Sequence, residues 1–254
     1  MEKPSDGGAK MEKGFILMFI FSIIFNILGV GLVVKRYFVN KSVEKTLAVP
    51  SIVEQPIQVT PIWLHKVSQF DVLDKFCNDK DIVFLGDSLT ERFLINEFNP
   101  DLSILNRGIS GDTTDGLLKR IDKLLLNCKP SKLFMMIGIN DMAKGKSFSN
   151  ILTNYNTLLL NITKESQNTH IYIQSVLPIG KSKDAISKED ISNFNNDLQN
   201  IANQFDNLTY IDIASSLKDQ EGYLDELYTQ DEVHLNGKAY KVWNDLIQQY
   251  LVSL

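Results

Sequence analysis

The chain has 254 residues, 44% hydrophobic and 22% charged, values that exclude a disordered chain and leave room for one ordinary domain and an appendage. Its formal net charge of −5, with both signs interspersed, lacks the basic footprint of a nucleic-acid binder. Two cysteines, Cys77 and Cys128, show no CxxC or metal-like spacing, so they read as separate half-buried thiols and leave the redox compartment open.

Residues 1–13 form a polar flank with Lys3, Lys10 and Lys13. Gly14 to Val34 then carries no charge, and as a helix would span roughly 30 Å, the thickness of a bilayer's hydrocarbon core. The run ends in Lys35-Arg36-Tyr37-Phe38, without the small-residue cleavage site of a signal peptide, so it reads as an uncleaved transmembrane anchor. Lys35, Arg36, Lys41 and Lys45 on the far side nearly balance the near side and lean toward a cytoplasmic C-terminal part. The expectation is nevertheless a single-pass membrane protein with its large domain extracellular, because a lone N-terminal anchor usually serves export.

Residues 35–60 are polar and broken by Pro50 and Pro56, which describes a tether. Residues 61–254 are then one domain. Thr60-Pro61 opens a helix whose Trp63, Val67, Phe70 and Leu73 recur at helical spacing and face the core. Strands follow over 81–85, 102–106, 132–137, 170–176 and 208–213. Helices are expected near 90–98, 113–127, 148–165, 188–204 and 236–251. Such alternation predicts an α/β architecture, a five-stranded parallel sheet with helices on both faces.

Ligands of open parallel sheets bind beyond the carboxyl ends of the strands. The chemistry-bearing residues fall there. Ser88 follows the first strand at Gly86-Asp87-Ser88-Leu89, where it serves either as a nucleophile or as a helix cap. Asp87 shapes the turn. Asn106 to Thr114 follows the second strand, with Gly111 ahead of a helix start that Asp112 or Thr113 is placed to cap. Gly138-Ile139-Asn140-Asp141 sets a carboxamide donor after the third.

A serine nucleophile needs a base and the base an orienting carboxylate. Of three histidines, His65 sits on a solvated helix face and His170 opens the fourth strand at the wrong sheet edge. His234 lies in a polar loop three residues after Asp231, close enough in a turn for that carboxylate to reach the imidazole. Fixed donors must also meet a developing oxyanion, and Gly111 and Asn140 offer them. No G-x-S-x-G elbow, metal-ligand set or phosphate-loop signature competes, so neither metal nor cofactor is expected.

Four blocks in this order, Gly86-Asp87-Ser88-Leu89, Gly111, Gly138-Ile139-Asn140-Asp141 and Asp231-Glu232-Val233-His234, resemble those of the SGNH hydrolases, the GDSL esterases and lipases. The wording of 106–114 is most similar to platelet-activating-factor acetylhydrolase-like and carbohydrate O-acetylesterase members. The resemblance covers about 82–251 and implies a three-layer flavodoxin-like fold. It implies Ser88 as nucleophile, His234 as base, Asp231 as its orienter, and Ser88 N–H, Gly111 N–H and the Asn140 amide as oxyanion donors. Glu232 departs from the glycine common between the Asp and His, and sets a charge beside them.

The expected function is a membrane-anchored serine esterase acting on small acyl esters, acetyl above all, of a polysaccharide or lipid head. The connections hold no long lid-like insertion, so an open site is expected. The same triad also serves acyl transfer to cell-wall or capsule sugars, or a lysophospholipase or thioesterase. A non-catalytic binding module need not keep all these residues. Oligomeric state is not legible.

Overall fold

A computed structural model describes residues 60–252 with the exception of 184. The expected flank, the anchor at 14–34 and the tether up to residue 59 lie outside the described residues. Among the described residues no helix is long and apolar enough to cross a membrane.

Thr60 accepts the Trp63 N–H at 3.1 Å and Pro61 takes the first position of helix α1, Pro61–Leu73. Trp63 is buried and Val67 and Phe70 are half-buried, as the stripe predicts, but Leu73 is exposed. The stripe continues through Asp74 instead, since 63, 67, 70 and 74 fall on one helical face. Asp74 is buried there because it meets Arg107 Nε at 2.6 Å.

Five strands follow: β1 Ile82–Gly86, β2 Ile104–Gly108, β3 Lys132–Met136, β4 His170–Gln174 and β5 Leu208–Ile211. All pair in parallel in the order β2-β1-β3-β4-β5, the flavodoxin-like order. Strand β1 is buried throughout, which is why it reads as a continuous apolar run and not as an alternation. Strand β2 lies two residues later than expected, because its register sets Ile104 against Ile82 and Gly108 against Gly86.

The expected helix over 90–98 is two short ones, α2 Ser88–Glu91 and α3 Ile95–Phe98. The Asn106 amide donates to the carbonyls of Thr90 (2.7 Å) and Phe93 (3.1 Å), claiming acceptors that a continuous helix would use. The remaining helices are α4 Thr114–Asn127, α5 Ile139–Ala143, α6 Phe148–Glu165, α7 Lys188–Ala202 and α8 Gly237–Val252. One turn of these, α5, has no counterpart in the sequence pattern, being too short to show a period.

One face of the sheet packs Val83, Leu85, Leu133 and Ile171 against α4, α6 and α7 through Leu117, Tyr155 and Phe194. The other packs Phe84, Phe134 and Tyr172 against α8 through Tyr240, Trp243 and Ile247. On that face Phe84 stacks on Phe134 at 4.6 Å and Phe134 on Tyr172 at 4.4 Å, an aromatic row across β1, β3 and β4. Such pairs contribute about 0.5–1.5 kcal/mol each beyond their burial.

The two cysteines correct the reading of separate thiols. Cys77 and Cys128 form a disulfide across 51 residues, joining the turn after α1 to the end of α4. Sequence separation hid the pairing, since only the fold brings these ends together.

Candidate active site

The switch point of the sheet lies between β1 and β3, and the site is built on their carboxyl ends. Where β1 ends, Asp87 caps α2 by accepting the Leu89 N–H at 3.0 Å. Ser88 is therefore the first helical residue and not the cap, and its side chain is half-buried. The helix lies directly on the strand ends: a Cβ on Gly108 would come within 2.2 Å of Glu91 N, and one on Gly86 within 2.2 Å of Thr90 Oγ1. Only glycine permits that approach.

His234 enters from a closed loop ahead of α8. Thr229 pairs with Leu235 in an isolated bridge, and Thr229 Oγ1 donates to the His234 carbonyl at 2.8 Å. Asp231 Oδ1 accepts the N–H groups of His234 (2.7 Å) and Val233 (3.0 Å), while Oδ2 lies 2.7 Å from His234 Nδ1. The His234 backbone N–H, with the imidazole and Val233 N–H behind it, holds the Asp231 carboxyl far below the usual range. An ionised partner fixes the proton on Nδ1 and leaves Nε2 as acceptor. Nε2 lies 3.2 Å from Ser88 Oγ. Ser88, His234 and Asp231 are thus brought into one line.

Glu232 has the only positive φ outside glycine among the described residues, +66°. Its charge does not face the imidazole. Its carboxylate takes the N–H (2.9 Å) and the hydroxyl of Ser182, and its carbonyl takes Gly180 N–H at 2.7 Å. The residue that departs from the family pattern ties the histidine loop to the segment after β4.

The remaining candidates converge on the same place. Asn140 in α5 donates to the Asp112 carbonyl at 2.9 Å and approaches Asp87 Oδ2 at 3.3 Å, which sets its amide between the Gly111 loop and the Ser88 turn. Gly111 is exposed with φ +76°, and the cap of α4 is Thr113, which accepts Gly116 N–H. The Gly111 loop is held from both sides. Glu91 accepts Ser110 N–H at 2.7 Å and pairs with Lys66 at 2.8 Å. Asp112, buried, takes Trp63 Nε1 at 3.0 Å and Arg120 Nε at 2.9 Å. Asp141, also buried, takes Thr114 N–H at 2.9 Å.

Trp63, Glu91, Arg120 and Asp141 were not singled out from the sequence as supports. Arg120 did leave a signal, a charge on the apolar stripe of Leu117, Ile121 and Leu124. Asp87 shapes the turn and also touches Asn140. Burial, reinforced by the carboxylates of Asp112 and Asp141, pushes its carboxyl up to about 7. His65 is exposed, and His170 sits at the opposite sheet edge against Thr209 Oγ1 at 2.8 Å. Among the described residues no three His, Cys, Asp or Glu side chains converge as a metal ion would require.

The model of the GDSL-like Lipase/Acylhydrolase family matches residues 75–242. The chain belongs to that family. The α/β sheet expected from the resemblance is the one observed. A protein from Streptococcus pneumonia named as a platelet activating factor is similar at 27% identity and TM-score 0.71, over 75% of this chain and 92% of that one. A GDSL-like lipase from Bacteroides thetaiotaomicron shares the fold at 21% identity and TM-score 0.63, over 73% and 96%. A carbohydrate esterase family 3 protein from Talaromyces cellulolyticus does so at 19% and 0.57, over 68% and 96%. Among curated proteins, the N-acylneuraminate cytidylyltransferase of Escherichia coli O18:K1:H7 is 26% identical over 179 residues, 69% of this chain. The chain spans only 41% of that relative's length.

Proposed function

We propose that this GDSL-family hydrolase is a membrane-tethered serine esterase that removes small acyl groups, acetyl above all, from a carbohydrate. The observation that carries the reading is the line Asp231–His234–Ser88, with contacts of 2.7 and 3.2 Å. Ser88 Oγ attacks the ester carbonyl as His234 Nε2 takes its proton. Asp231, held ionised, keeps the imidazole in that tautomer and stabilises the imidazolium. His234 then returns the proton to the departing alkoxide, leaving Ser88 acylated. Water, deprotonated by His234, releases the acid and restores Ser88. The oxyanion of each tetrahedral intermediate is met by the N–H groups of Ser88 and Gly111 and by the Asn140 amide.

The surroundings support a small acyl group on a large alcohol. Gly111 and Asp231 are exposed and Asn140 and His234 half-buried, so the site is open and polar, without the apolar enclosure that a long chain needs. Relatives named for a carbohydrate esterase and an N-acylated sugar favour a sugar over a lipid head. The apolar run at 14–34 supports the tether, and the Cys77–Cys128 disulfide supports a domain outside the cytosol, where such bonds persist.

A series of 4-nitrophenyl esters of increasing acyl length tests the reaction. The expected result is fastest turnover of acetate, and a preference for long chains would redirect the reading to a lipase or thioesterase. Protease access to the domain in intact cells tests the topology; protection would contradict it.

A further inference from the structure

A second polar recess lies away from the reacting residues. A cleft of about 680 Å³ opens between α7 and the segment 212–222 that follows β5. That volume is in the range of small-ligand sites. None of Ser88, Gly111, Asn140, Asp231 and His234 lines it.

Its helical wall is unusual in composition. Ser192, Asn196 and Gln199 recur at i, i+4 and i+7, one stripe of α7, and all three line the cleft. Solvent faces of helices normally carry charge, as Lys188 and Glu189 do in the first turn of α7, whereas beyond that turn this stripe is neutral and rich in both donors and acceptors. The three side chains have no hydrogen-bond partner among the described residues. The wall itself is fixed, because the neighbouring Asn195 amide is spent on the Val176 N–H and carbonyl, both at 2.8 Å.

Charges at the margins cancel. Glu221 pairs with Lys181 at 2.7 Å, Asp212 accepts the Ser215 hydroxyl at 2.5 Å and Glu189 lies at the rim, while Lys188 and Lys218 bring the opposite sign. Carboxylates disfavour an anion, and the polar walls disfavour an acyl chain. What fits is an uncharged ligand with many hydroxyls.

The cleft and the histidine loop share a wall. Pro178 lines the cleft, and Gly180 and Ser182 are bonded to Glu232, which stands between Asp231 and His234. From Pro178 to Ser182 the chain spans at most about 14 Å.

Resting on the sugar-esterase reading, we infer that this cleft is a carbohydrate subsite that holds uncharged sugar units remote from the ester being cleaved. It would make the enzyme favour an oligosaccharide over a monosaccharide.

Isothermal titration of the native protein with unesterified xylohexaose and chitohexaose reads the cleft without any turnover. Binding of one of them is expected, abolished by Ser192→Trp, which fills the cleft, and weakened roughly tenfold or more by Asn196→Ala with Gln199→Ala, for two lost hydrogen bonds. The same variants should raise KM for the partially acetylated hexaose by a similar factor. Turnover of 4-nitrophenyl acetate and glucose pentaacetate should stay within about twofold, since these do not reach the cleft. No binding of either hexaose, or binding that both variants leave intact, overturns the subsite. Binding lost in the variants while the native protein cleaves no acetylated sugar would keep the cleft and sink the sugar-esterase reading.

Discussion

Asp87 and Asp231 are two carboxyls of the same site whose proton affinities are driven apart by their surroundings. Asp231 is exposed and cradled by N–H groups, so it stays ionised. Exchanging it for Asn should lower kcat by about 10³–10⁴-fold through the wrong imidazole tautomer, with little change in KM. A loss smaller than tenfold would deny it that role. Asp87 is buried, and its carboxyl rises from 3.8 to about 7. It therefore holds its proton more tightly folded than unfolded. Its contribution to stability is complete below about pH 4 and is lost as pH rises through 7. Between pH 5 and 8, denaturant unfolding should show the native protein losing more stability than Asp87→Asn, and equal slopes would contradict the assignment. The five candidate residues were legible because each sits in a short motif with its own turn chemistry. Their supports were not, because Trp63 meets Asp112 across 49 residues and no local pattern records that contact.

At the scale of elements, two seats decide the geometry. The close approach of α2 to β2 leaves no room at Gly108, so Gly108→Ala must move the helix that carries Ser88. A loss of activity larger than the loss of stability is expected, measured as kcat/KM against the unfolding midpoint. The second seat is Glu232. In its left-handed conformation any side chain costs about 1–2 kcal/mol, so Glu232→Gly should be less destabilising than Glu232→Ala by about that amount. The reverse order would show that the backbone there is not strained. Periodicity located the long helices α4, α6, α7 and α8 to within a few residues. It failed over 90–98, where a tertiary contact from Asn106 interrupts an otherwise helical pattern. Leu73 failed for a related reason, since a buried ion pair gave the inward position to Asp74.

For the whole molecule, alternation of strand and helix was enough to read the parallel sheet and the edge on which the site lies. The disulfide was not readable, because two cysteines 51 residues apart carry no spacing signal. Replacing both by Ser should cost about 2–5 kcal/mol, since the closed loop is long, and unfolding with and without reductant should show the same difference. An unchanged stability would mean that the bond constrains nothing. In the proposed reaction the sheet edge presents Ser88 as an activated nucleophile. Labelling of the full chain by a fluorophosphonate tests it most directly. One covalent adduct is expected on Ser88, absent in Ser88→Ala and slowed in His234→Ala. A folded native protein that takes no label, or an adduct that persists in Ser88→Ala, would contradict it.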